Sequence, residues 1–125
     1  MTKILFPAFA AVLLLICFSS CAQQGGSNCF GVPIPDFKNP KVDSLVQERE
    51  TIRCRLVAKI ENGEEITSSD QFEWSNDGMR HMNIFEVLDK DGDQGEVDKY
   101  GEFHLKVVDK QVAWRKKMEK KLQDQ

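Results

Sequence analysis

The chain has 125 residues, with 17 Lys and Arg against 20 Asp and Glu and a formal charge of −3. A balance this mild and acidic excludes a global electrostatic pull toward nucleic acid. The length beyond residue 22 suffices for one domain with one modest core.

Residues 1–22 have the layout of an export signal. Lys3 supplies a positive start, Ile4 to Phe18 is uncharged and apolar, and Ser19, Ser20, Cys21 and Ala22 follow as small or polar residues. Cleavage after Ala22 would release a chain beginning at Gln23. An uncleaved anchor fits less well, because roughly 20 apolar residues are needed to span a bilayer and Pro7 interrupts the run. A lipid anchor on Cys21 is the alternative, with Phe18 where such sites favour leucine. The expected location is therefore secreted and extracellular, with no transmembrane segment in the mature chain.

Residues 23–40 read as a flexible or extended leader. Gln23 to Asn28 is polar and glycine-rich, and Pro33, Pro35 and Pro40 disfavour a helix. Cys29 and Cys54 are the cysteines left after the signal, an even pair in an oxidising compartment. They either bridge, or Cys54 is a small buried hydrophobe while Cys29 pairs elsewhere or stays free. With no C-x-x-C pair and no Cys/His cluster, zinc is not expected. No N-glycosylation sequon occurs.

From Glu50 the pattern alternates. Ile52, Cys54, Leu56 and Ala58 oppose Thr51, Arg53, Arg55 and Lys59, which predicts a half-buried strand. Asn62-Gly63 supplies a turn. Phe72 and Trp74 alternate with polar neighbours in a second strand, which Asn76-Asp77-Gly78 ends. Met79, Met82, Phe85 and Leu88 fit a helix as well as a strand. Phe103, Leu105 and Val107 alternate with Glu102, His104 and Lys106. Val112 and Trp114 fit a last strand, while Trp114, Met118 and Leu122 are spaced for a short amphipathic helix.

A cysteine in one strand, a tryptophan in the next and Asp98-Lys99-Tyr100-Gly101-Glu102-Phe103-His104-Leu105 further on resemble an immunoglobulin-like domain over residues 41–114. The resemblance implies an all-β fold, a single antiparallel β-sandwich, with a basic tail at 115–125 that is compatible with a short C-terminal helix. Its core would hold Cys54, Trp74, Phe103 and Leu105. The match is atypical, since Leu105 stands where the family has its strand F cysteine and Phe103 replaces the tyrosine. What it implies about function is extracellular protein–protein recognition at the cell surface, without catalysis or cofactor.

Asp89-Lys90-Asp91-Gly92-Asp93 supports a different reading, a degenerate EF-hand-like loop at residues 89–102. Alternating carboxylates are what calcium requires, and Asp89, Asp91 and Asp93 would be its ligands. The register then fails, with Gln94 at the glycine position and Tyr100 at that of the closing glutamate. His81 and His104 stand in a turn-side segment and on a wet strand face, where solvation explains them better than catalysis. Arg115, Lys116, Lys117, Lys120 and Lys121 offer contacts to anionic surfaces, but without interleaved aromatics beyond Trp114 they are only a weak signal for nucleic acid.

Overall fold

The computed structural model describes residues 26–125, so the expected export signal and Cys21 lie outside the described residues. Helices hold 75% of these residues, and no strand forms among them. The β-sandwich over 41–114 and the immunoglobulin-like resemblance are therefore overturned. Four helices take its place: α1 (Pro40–Glu61), α2 (Ser68–Ser75), α3 (Asp77–Asp91) and α4 (Gln94–Gln123).

Each helix begins on local chemistry that the sequence carries openly. Pro40 stands at the first turn of α1, where its missing N–H costs nothing, and the Asn39 side chain accepts from Lys41 N–H at 2.9 Å. Thr67 and Asp70 form a reciprocal capping box at α2, each side chain accepting from the other's backbone N–H. Asn76 closes α2 through its N–H to the Phe72 carbonyl and opens α3 by accepting from Arg80 N–H. Gly92, at φ 68°, takes the left-handed conformation that stops α3, and Asp93 caps α4 from the next position.

That last pair also leaves no twelve-residue loop between the two helices. A twelve-residue loop starting at Asp89 would have to run to Tyr100, but α3 continues through Asp91 and α4 begins at Gln94. Asp91 instead accepts from Asn39 Nδ2 at 2.8 Å, and Asp93 pairs with Lys38 at 3.2 Å. No cluster of acidic, Cys or His side chains among the described residues could hold a metal ion.

Core positions recur at intervals of three and four. On α1 they are Val42, Val46, Arg49, Arg53 and Leu56; on α4 they are Glu96, Tyr100, Phe103 and Val107. Ile84 and Leu88 fill the same role on α3. Helix α1 packs on α3 and α2, and α3 packs on α4. Residues 26–39 stay non-helical and contribute Val32 and Phe37 to the same core. Cys29 bonds to Cys54 across a sequence separation of 25, with the Cα atoms 5.5 Å apart. Trp114 ties α4 back by donating to Glu61 at 2.9 Å and packing near Phe30.

The core expected from alternation survives only in part. Phe103 is buried, as are Leu56 and Val107, but Leu105 is 64% exposed. A helix brings residues four apart to one face, so Phe103 and Val107 point inward while Leu105, midway between them, points out. Cys54 and Trp74 are half-buried, Cys54 against Cys29 and Trp74 along a cleft. The residues of the basic tail stand in the last turns of α4. Leu105→Ala is expected to cost less than about 0.5 kcal/mol, as for an ordinary surface site, where a sandwich core position would lose several times more. Urea unfolding of the two proteins decides between them.

Candidate polar centre and cleft

Three helices each present two residues spaced four apart to a common interior point: Arg49 and Arg53 from α1, Asp77 and His81 from α3, Tyr100 and His104 from α4. Arg49 is the hub. Its Nε and Nη2 donate to the two Asp77 oxygens at 2.9 and 2.8 Å, a bidentate pair. Its Nη1 donates to the Tyr100 hydroxyl at 2.7 Å and lies 3.2 and 3.1 Å from Nδ1 of His81 and His104. The two imidazoles stack with centroids 3.9 Å apart.

The geometry sets the protonation states. Tyr100 is fully buried, and burial pushes its phenol up to about 12 against the opposing pull of Arg49. It is therefore a neutral hydroxyl, accepting from Arg49 and donating to His81 Nδ1 at 2.8 Å. Both Nδ1 atoms face a cation, so the network assigns the ring proton to Nε2 in each histidine. Burial and then Arg49 hold His81 below its ordinary value, and burial, His81 and Arg49 pull His104 down to about 4. Burial alone would raise the Asp77 carboxyl, yet the Arg49 hydrogen bonds and charge bring it below the usual carboxylate range. With both Nδ1 acceptors occupied, the centre clasps the three helices together.

A pH dependence follows. Between the ordinary histidine value and the folded one, the unfolded chain binds more protons than the native chain, so stability rises with pH there. The loss begins as pH falls through about 6.5 and, for His104, continues down to about 4. The groups facing this histidine are Arg49 and Arg53 from α1, Asp77 and His81 from α3, and Tyr100 on its own helix. The expected contribution is about 1–2 kcal/mol after solvent screening, since the rings are only half-buried. His104→Gln should flatten the fall in melting temperature between pH 6.5 and 4; an unchanged slope would refute it.

Arg53 extends the network outward. It pairs with buried Glu50 at 3.2 Å, donates to Gln111 from α4, and lies 4.0 Å from Asp77. Glu50 in turn accepts from Asn28 of the leader at 2.9 Å. Nη2 of Arg53 is buried without a hydrogen-bond partner. Beside it runs a cleft in two parts that share Leu56 and Trp74. One part, about 120 Å³, is of mixed character, with Ile52 beside Arg53, Glu73, Asp77, Arg80 and Gln111; the other, about 250 Å³, is almost wholly apolar and lined by Leu56, Ile60, Ile66 and Trp74.

Alternation concealed this centre. Under a strand reading His81 and His104 belong to unrelated surfaces, whereas a helical reading puts Asp77 with His81 and Tyr100 with His104 at one-turn spacing. Asp91 and Asp93 line one hollow near Lys38 and Glu96 while Asp89 does not join them, and Cys54, Phe103 and Leu105 take no part in the cleft. No family model, curated protein or solved structure matches this chain. Fold and site together describe a disulfide-tied helical domain with a buried Arg–His–Tyr–Asp clasp and an open cleft beside it. No helix among the described residues is long and apolar enough to cross a membrane.

Proposed function

We propose that this chain is a secreted binding protein that recognises another extracellular protein and performs no chemistry of its own. The observation carrying this reading is the composition of α2. That helix buries only the Asp70 carboxylate, while Phe72 is 65% exposed and Trp74 is left half-buried along the cleft. Aromatic side chains dominate the energetics of recognition surfaces, and a helix that turns them away from its own core has them free for a partner. The Cys29–Cys54 bond supports the extracellular setting, because such bonds persist where thiols are not kept reduced. The exposed bases Lys120 and Lys121 lie in the last turn of α4, where they complement the helix dipole, so they are not needed to explain binding.

The test expresses the full chain with a C-terminal tag in a secreting cell. Tagged protein is expected in the medium, and it should bind a panel of cell surfaces saturably. Protease treatment of the cells should remove that binding, and Phe72→Lys should weaken it at least about tenfold. Retention inside the producing cell, or binding that survives protease, would overturn the reading.

A further inference from the structure

Independently of α2 and the cleft, we infer that the outward face of α4 joins two copies of this chain side by side in antiparallel order. Asp98, Gly101, Leu105, Val108, Val112 and Arg115 follow one another at steps of three and four, which lines them up as one stripe along the helix. They stand on the side away from the buried stripe of Tyr100, Phe103 and Val107. Leu105 and Val112 are exposed and Val108 is half-buried. A Cβ placed on Gly101 would meet nothing within 4 Å, so the face is open there as well. Single apolar residues scattered over a surface need no partner, but a straight uncovered run of them is a seam that a second helix fits.

Charge names the occupant. The stripe begins on Asp98 and finishes on Arg115, both exposed, with only apolar residues and glycine between them. A second copy turned end for end sets its Arg115 against Asp98, its Val112 against Gly101 and its Val108 against Leu105. All three pairs are centred on the same point of α4, midway between residues 106 and 107, so one two-fold axis makes each of them twice. The seam is then apolar along its middle and closed at both ends by an ion pair. Parallel order would lay Asp98 on Asp98 and Arg115 on Arg115, and would align the two helix dipoles as well. On one flank Glu102 and Asp109 stand with Lys106 between them, so the flank neither drives nor forbids the pairing. From Asp98 to Arg115 the stripe runs about 26 Å, and one helix pair of that length buries less than the roughly 1,200 Å² of a stable complex. The dimer is therefore reversible, and at the dilution of an unfolding experiment the chain is a single copy.

The experiment follows the mass of the oxidised full chain by sedimentation equilibrium from about 10 µM to about 1 mM. The mass should rise from one copy to two and no further. Asp98→Arg and Arg115→Asp should each raise the dissociation constant at least about tenfold, because each sets like charges face to face at both ends of the seam. Mixing the two variants should restore pairing, since the position facing each new charge then carries the opposite one. Both substitutions in one chain should restore it too. The two sites are exposed, so circular dichroism of each variant should match the parent. Association that neither single substitution weakens would overturn this face. Weakening with no recovery on mixing would overturn the antiparallel order. A chain that stays a single copy at about 1 mM would overturn the pairing itself and leave the stripe to a different protein.

Discussion

Arg49→Met is expected to destabilise the domain by about 3–5 kcal/mol, a large share of the stability of a chain this size. Arg49 is 4% exposed and, among the described residues, is the only group that touches Asp77, His81, Tyr100 and His104 together. Methionine keeps the aliphatic stem, so the loss reports on the guanidinium rather than on a cavity. Asp77 would lose both its bidentate bonds, and Tyr100 would keep only His81 as a partner. At roughly 4–8 °C per kcal/mol, the melting temperature should fall by at least about 12 °C. Lysine should not rescue it, because a point charge cannot reproduce the planar fork. Arg49→Met with Asp77→Leu should recover part of the loss, since no unpaired charge is then left inside. An unfolding free energy from urea within about 1 kcal/mol of the parent would show that the clasp is ornamental.

The same substitution predicts a second readout that mere loss of packing would not produce. Arg49 is one of the groups depressing both histidines. Without it, their ring signals followed by NMR should titrate closer to the ordinary histidine value, and the acid-side loss of stability should shrink.

These polar core residues also explain why the fold was hard to read. In α1 the buried stripe runs through Arg49, Glu50 and Arg53, so three core positions look like solvent-facing ones by hydropathy. What remains visible there is the accidental alternation Ile52, Cys54, Leu56, which a strand would also show. In α4 the same thing happens: Phe103, Leu105 and Val107 alternate, yet Tyr100, Phe103 and Val107 are the true stripe. The helix starts were legible all along. Asn39-Pro40, the Thr67-x-x-Asp70 box and the Gly92-Asp93 stop-and-start are local signals, and they outweigh a hydropathy pattern broken by buried charge. The pairing of Cys29 with Cys54 was one of the alternatives that residue count left open, and it needed coordinates to decide. The clasp was not legible, because its six residues become neighbours only once three helices are placed.

Breaking the Cys29–Cys54 bond is expected to cost about 3–4 kcal/mol, from the entropy returned to an unfolded chain with a loop of this length. The consequence should be global rather than a fraying of the leader. Val32 and Phe37 lie in one buried cluster with Val46, Ile84 and Tyr100, and Phe37 packs 6.3 Å from the Tyr100 ring. Asn28 supplies a hydrogen bond to buried Glu50, and Lys38 N–H donates to Glu96 at 2.9 Å. A leader that lets go therefore uncovers the top of the core and strands Glu50 beside Arg53. Paired Cys29→Ser and Cys54→Ser substitutions should lower the melting temperature by roughly 12–32 °C. Native-state hydrogen exchange should show faster opening throughout α1, α3 and α4, not in residues 26–39 alone. If only the leader loses protection while the helices keep theirs, then the segment is an appendage and the four helices are a sufficient domain. If protection falls everywhere, the bond is what makes the domain stable, and a reducing compartment would leave it short of the fold on which its cleft depends.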